Sequence, residues 1–214
     1  MTMLVLRCPS WPDALPAGLP DAHPMPAVPG RVDVDPLLAD ATPDRIVVAG
    51  ADADLAAVVL RLLRTGRLGV AVAYLPANPG SAVAATWGLP TDRGTAAALA
   101  ATGEPEPVPL VRDDAGGVLL GRGVIRPVDG VIYCDERLML RGRAARLVVT
   151  PADPVGVDVR VGRALRTRSA RGRAVQVACA EAVALLDGVP HPRPVTRWTW
   201  YKHTEDLRLV RPLS

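Results

Sequence analysis

Two textures of apolar and polar positions divide the chain. Between residues 45 and 104, continuous apolar runs alternate with stretches of helical period. RIVVAG (45–50) predicts a buried strand, and DLAAVVLRLLRTG (54–66) predicts a helix of about three turns that stops at Gly66. LGVAVAYLP (68–76) predicts a second buried strand. PGSAVAATWGLP (79–90) predicts a helix with Pro79 in its first turn, closed by Gly88 and Pro90, and DRGTAAALAATG (92–103) predicts one more short helix. Apolar strands alternating with helices imply a parallel sheet covered on both faces.

After residue 105 the pattern changes. PVPLVRD, GVLLGRGVI, GVIYC, RLMLRG, ARLVVT, VDVRVG, AVQVAC and AVALLDG are short, Val-rich and separated by Gly, Pro or Asp. That is the pattern of antiparallel strands. The expected organisation is an α/β domain over residues 1–105 and a β-rich domain over 106–214. Before residue 44 the chain is dominated by proline, which removes amide donors and fixes φ, so residues 9–30 are expected as an extended cover or a flexible stretch. LVLRC (4–8) and RVDV (31–34) are expected as short strands and DPLLADA (35–41) as a short helix.

Composition changes little in this picture. The 214 residues suit one large or two small domains, and 49% hydrophobic content with no Phe means that Val, Leu and Ala build the core. Net charge is +3, with every cationic side chain except Lys202 an arginine, a balance that keeps a protein soluble without implying nucleic-acid binding. No segment approaches the roughly 18 apolar residues of a membrane helix, and the N-terminus lacks a signal-peptide cleavage pattern. A cytoplasmic protein is expected. Cys8, Cys134 and Cys179 form no CxxC, and His23, His191 and His203 have no metal-ligand spacing, so buried thiols and no structural zinc are expected.

The chemistry worth weighing lies in VVAGADADLAAVV (47–59). A buried strand, a tight turn and an amphipathic helix follow in the order used by phosphate-binding turns, but only Gly50 remains of the glycines such turns contain. Ala at a φ > 0 position costs about 1 kcal/mol, and its Cβ occupies space near a phosphate. Asp54, near the helix start, is expected to cap free amides there. Asp52 and Asp54 together, two residues apart, are an alternative metal pair. No GxSxG, Walker A or GxGxxG pattern occurs, which removes support for serine hydrolase, P-loop and Rossmann dehydrogenase readings.

The order of these pieces resembles the diacylglycerol kinase catalytic-domain family, which includes bacterial lipid kinases and sphingosine kinases and is related to NAD kinases. That family carries a GGDGT turn and then PxGTxND-x-AR-x-LGLP. Gly50 and Asp52 match the first motif; Ala51, Ala53 and Asp54 replace Gly, Gly and Thr. Pro76, Ala84, Gly88, Leu89 and Pro90 match the second, where Asn78, Pro79, Ser81, Ala82 and Ala85 replace Gly, Thr, Asn, Asp and Arg. Further on, ADPVGVDVRV resembles DDGLLDVVVV, and Asp187–Gly188 matches the start of DGE, with Val189 in place of Glu. The chain is shorter than a typical member.

The resemblance implies an α/β domain of NAD kinase/diacylglycerol kinase type, followed by an antiparallel β-sandwich-like domain. It implies ATP and Mg²⁺ as cofactors and phosphoryl transfer to a lipid hydroxyl. Gly50, Ala51, Asp52, Ala53, Asp54, Asn78, Gly80 and Ser81 would lie at the nucleotide site, Asp52 would serve the metal region, and Asp187 would hold the general-base position. The lost glycines, the acidic Asp54 and the amide-free Pro79 favour a divergent member with lost or weakened kinase activity and no working cofactor. An active kinase with a non-standard phosphate loop is one alternative. A non-catalytic lipid- or protein-binding module is another.

Other stretches have plainer explanations. Six arginines between 160 and 173 suit a solvated loop; the alternative is a phosphate or membrane-surface contact through Arg166, Arg168 and Arg171, with a peripheral membrane location. RWTWYKH (197–203) puts Trp198 and Trp200 on one strand face and Tyr201 on the other, for the β-domain core or a homodimer contact, with the flank of a lipid entrance as the alternative. Asp113–Asp114 and Asp135–Glu136 fit hairpin turns.

Overall fold

The structure is a computed structural model that describes residues 2–12, 14–163 and 166–212; the side chain at 163 and residues 164–165 of the arginine cluster lie outside the described residues. The first elements are β1 (Met3–Arg7), β2 (Ala22–Pro24), α1 (Arg31–Ala41), β3 (Arg45–Gly50), α2 (Asp52–Arg64), β4 (Ala71–Pro76), α3 (Ala82–Trp87), α4 (Arg93–Thr102) and β5 (Pro105–Val108). Then come β6 (Val111–Asp113), β7 (Val118–Leu119), β8 (Gly123–Arg126), β9 (Val128–Cys134), β10 (Arg137–Ala144) and β11 (Arg146–Ala152). The chain ends with β12 (Gly156–Arg163), β13 (Arg166–Gly172), β14 (Ala174–Leu186), β15 (Val189–Pro190), β16 (Val195–Lys202) and β17 (Leu207–Val210). Two compact units result: Met1–Val108 with Asp206–Ser214, and Pro109–Glu205. Among the described residues no helix is long and apolar enough to cross a membrane.

The first unit is built on a sheet in the order β2-β1-β3-β4-β17-β5, parallel except for β5, which runs antiparallel to β17. Strands β3 and β4 are buried along their whole length, which explains their unbroken apolar sequence. Val47, Ala49, Ala71, Ala73 and Leu75 pack with Ala96, Ala97 and Ala100 of α4 and with Trp11 of the proline-rich cover. Against β3 and β4 also lies α2, with Leu55, Val58, Val59 and Leu62 buried at helical spacing. Arg45 is buried, and its guanidinium donates to the carbonyls of Ala100 and Gly103 at 2.6 Å each, satisfying the C-terminal end of α4.

Three local elements differ from the expectation. RVDV is not a strand; it opens α1, because Asp33 accepts the Gly30 amide at 2.8 Å and Val34 and Leu38 form a buried i,i+4 pair. α1 is tied to α2 by a two-point pair between Asp35 and Arg61 at 2.8 and 2.7 Å. Pro79 does not begin the helix of the second segment; Ser81 caps α3, accepting the Ala84 amide at 2.9 Å. PVPLVRD is not one strand either, since β5 belongs to the first unit and β6 to the second.

The second unit is one large antiparallel sheet, β13-β12-β11-β8-β14-β16-β6-β7, with β9 and β10 attached through β14. AVQVAC and AVALLDG are expected as two strands but form the single 13-residue β14. Its first half pairs with β9 and β16 and its second half with β8. The register slips between Ala178 and Ala182, so the in–out alternation breaks there and imitates a strand end. Inward residues of both halves form one core, including Ile125, Leu147, Val159, Ile132, Val177, Trp198 and Trp200. Trp198 and Trp200 meet edge to face at 5.8 Å, and Tyr201 turns to the other side beneath the Arg112 guanidinium. Gly123 leaves room for the Trp200 ring: a Cβ there would lie 2.6 Å from a ring carbon. The pair Asp135–Glu136 forms the β9–β10 turn, and Asp113 accepts the Gly117 amide at 2.7 Å in the β6–β7 turn.

Candidate functional site

The turn between β3 and α2 has extended geometry at Ala51, with φ −81° and ψ 165°. No residue from 50 to 54 has a positive φ. The expected strain of alanine in a glycine turn is therefore absent, because the turn has a different shape. Gly50 is needed for another reason: a Cβ on it would lie 2.6 Å from Asp54 Oδ2 and 3.1 Å from Cys8 Cβ.

Asp54 is buried, at 2% exposure. Its Oδ2 accepts the Ala51 amide at 2.8 Å and the Ser10 hydroxyl at 2.6 Å; its Oδ1 accepts the Val28 amide at 2.8 Å. The Ser10 oxygen in turn accepts the Ala51 amide at 2.9 Å. Asp54 thus caps its own helix from the third helical position and fastens both ends of the proline-rich cover to the turn. Val28, one of the fastened residues, holds a φ of 50°. The Cys8 thiol beside it is pushed up to about 12 by burial and then by the Asp54 charge.

Asp52, two residues earlier, acts on a different helix. Its Oδ2 accepts the amides of Ala82 and Val83 at 2.7 and 3.3 Å, at the N-terminus of α3. Its Oδ1 accepts the Ser81 hydroxyl and lies 2.9 Å from the Tyr74 hydroxyl, which is also 3.0 Å from the Gly50 carbonyl. Burial, reinforced by the Asp52 charge, drives the Tyr74 phenol far up, so it stays a neutral donor. Asn78 uses its side-chain oxygen on the Gly80 amide at 2.7 Å, which shapes the loop leading to Ser81.

The structure therefore brings Gly50, Ala51, Asp52, Asp54 and Ser81 together in one hydrogen-bonded assembly. Ala53 lies in the first turn of α2, and Asn78 and Gly80 in the loop before α3. Ser10, the Val28 amide and Tyr74 belong to the assembly and carried no signal in the sequence. Ser10 and Val28 sit in a segment without periodicity, and Tyr74 reads as one more strand residue. Among the described residues, no group of three His, Cys, Asp or Glu side chains is placed to hold a metal ion.

Asp187 lies in the second unit, buried, with φ 46°. Its carboxylate accepts the amides of Leu120, Gly121 and Arg122 at 2.9, 2.8 and 2.8 Å, and its own amide donates to the Arg122 carbonyl at 3.0 Å. Both oxygens thus fasten the 120–122 turn to the end of β14. Arg166, Arg168 and Arg171 lie on strand β13, at the edge of the sheet, rather than in the solvated loop expected. All three are exposed; Arg171 pairs with Asp158 at 3.2 Å, and Arg168 reaches the Met139 carbonyl at 3.4 Å.

No protein-family model matches the sequence, and no curated protein is significantly similar to it. Solved structures do match. A crystal structure of a diacylglycerol kinase from Bacillus anthracis str. Sterne superposes with a TM-score of 0.74 at 13% identity, covering 99% of this chain and 97% of that one. An NAD kinase from Archaeoglobus fulgidus in complex with ATP superposes with a TM-score of 0.55 at 12% identity, covering 98% and 93%. Yeast NADH kinase complexed with NADH gives 0.53 at 9% identity over 79% of this chain and 62% of that one. The chain has the fold of diacylglycerol kinase-like proteins, with NAD kinases as more distant neighbours.

Proposed function

We propose that this chain keeps the diacylglycerol kinase-like scaffold without ATP-dependent phosphoryl transfer, and serves as a binding module. One observation carries the reading. The Ala51 amide just before α2 and the Ala82 and Val83 amides at the start of α3, which a phosphate would use, already donate to the carboxylates of Asp54 and Asp52. Each of these carboxylates is an anion fixed where a nucleotide phosphate would have to enter. Two unit charges 4 Å apart at an effective dielectric of 20 repel by about 4 kcal/mol. Micromolar binding is worth only about 8 kcal/mol, so two such carboxylates would remove most of it.

A Mg²⁺ ion fits no better. The oxygens of Asp52 and Asp54 face N–H and O–H donors, whose positive ends would oppose a cation. The residues at the turn therefore do not fit ATP with Mg²⁺. Asp187 supports the same reading, because three amides engage the carboxylate that a general base would need to keep available.

The test is a calorimetric titration with ATP and Mg²⁺, followed by an assay for lipid phosphorylation. Binding no tighter than about 0.1 mM is expected. Micromolar binding that Asp52→Ala abolishes, with phosphate transferred to a lipid hydroxyl, would refute the proposal. It would establish instead an active kinase with a non-standard loop.

A further inference from the structure

In the second unit, the outward face of β14, β8, β11 and β12 is not a uniform charged surface. Leu185 pairs with Val124, Val124 with Val148, and Val148 with Arg160, so one cross-strand row runs apolar, apolar, apolar, cationic. The three apolar residues are half-buried although they point away from the core. Four strands at about 4.8 Å spacing make this row about 14 Å long. Arg126 and Arg122 stand on either side of Val124 along the chain, and Arg146 stands beside Val148 with the same alternation. The result is a trench of about 580 Å³ with an aliphatic floor and guanidinium walls.

The charge on these walls is largely uncompensated. Arg160 and Arg171 share Asp158 at 3.1 and 3.2 Å. Among the described residues no carboxylate pairs with Arg122, Arg126 or Arg146. Three guanidiniums held around a recessed apolar floor match a ligand with a phosphate or carboxylate head and an aliphatic body. The volume lies within the range of small-molecule sites, about 300–1,000 Å³. A flat bilayer surface would touch the rim and not the recessed floor. Among the described residues no aromatic ring lines the trench, so nucleic-acid bases would find no stacking platform.

We propose that this trench binds a single small anionic amphiphile, head group on Arg126 and Arg146, chain along Leu185, Val124 and Val148, with Arg122 on the opposite wall. The site is separate from the β3–α2 turn and does not depend on whether that turn binds nucleotide.

The experiment is calorimetry on the full chain with inorganic phosphate, hexyl phosphate and decyl phosphate, the last two below their micelle concentrations, and with phosphatidylglycerol vesicles. Each methylene leaving water tightens binding about fourfold when fully buried. In a half-open trench, decyl phosphate is expected to bind one to one and at least tenfold tighter than hexyl phosphate. Arg126→Ser with Arg146→Ser should weaken it at least tenfold. Arg137→Ser with Arg141→Ser, on exposed positions of β10, should leave it unchanged. Circular dichroism confirms that each variant is folded. Equal affinity for both alkyl phosphates would overturn the proposal in favour of a plain cationic patch. Binding to vesicles alone would overturn it in favour of a membrane surface. Wild-type affinity in the Arg126/Arg146 variant, or no binding of decyl phosphate, would also overturn it.

Discussion

Replacing Asp54 by Ala should unsettle the first unit far more than an ordinary helix-cap change. Three donors converge on this buried carboxylate: the Ser10 hydroxyl and the amides of Ala51 and Val28. A hydrogen bond to a charged group contributes about 1.5–3 kcal/mol net, and removing one member of a buried charged cluster costs about 3–5 kcal/mol. The individual bonds are not additive, so about 3–5 kcal/mol is the expected loss. For a chain of this size that lowers the melting temperature by roughly 6–20 °C. Urea unfolding of wild type, Asp54→Ala, Ser10→Ala and the double variant measures it. Ser10→Ala alone should cost about 1–2 kcal/mol, and less once Asp54 is gone, when only the bond from the Ala51 amide remains to Ser10. Amide exchange at Val28 and Ala51 should accelerate in Asp54→Ala. Stability within 0.5 kcal/mol of wild type, or no coupling between the two sites, would refute the role assigned to this carboxylate.

Gly50→Ala drives a Cβ to 2.6 Å from Asp54 Oδ2, and should cost about 1–3 kcal/mol in the same unfolding assay, less in an Asp54→Ala background. Burial raises the Asp113 carboxyl above its ordinary value of 3.8, so the folded state favours its protonated form. Its stabilising contribution is present below that value and is lost as pH rises through the folded one; Asp113→Asn should therefore gain stability relative to wild type as pH rises above 3.8. Iodoacetamide at pH 8 should label Cys179 before Cys8 and Cys134 in the native protein, because those two are buried and the Cys8 thiol is held at about 12. Mass spectrometry that found Cys8 modified first would contradict the placement of the cover over β3.

Local patterns made the first sheet legible. RIVVAG and LGVAVAYLP read as buried strands because both faces of β3 and β4 are covered. The return of β17 between β4 and β5 was not legible, since LRLV shows no feature that distinguishes one sheet from another. RVDV misled because its two valines alternate as in a strand, while the helix depends on Gly30, Asp33 and the spacing of Val34 and Leu38. At the candidate site, the sequence marked Asp52 and Asp54 as the residues that matter. It could not show what they bind, because their partners at Ser10, Val28, Tyr74 and Ala82 are 22 to 44 residues away along the chain.

A phosphate-binding turn normally leaves its amides to water until the ligand arrives. Here the competing anions are part of the chain and cannot diffuse away. Any phosphate must displace them, at a cost comparable to the 3–5 kcal/mol assigned to the Asp54 cluster, which weakens binding roughly 10²- to 10⁴-fold. An affinity that would otherwise be micromolar thus falls to about 0.1–10 mM. The same arithmetic fixes the sign of a gain-of-function test. Asp54→Gly should lower stability and at the same time raise pyrophosphate affinity by at least tenfold, because one cause produces both changes. Differential scanning calorimetry and titration on one preparation read the two effects together. Loss of stability without any gain in affinity would mean that the turn between β3 and α2 is a structural joint and not a blocked anion site.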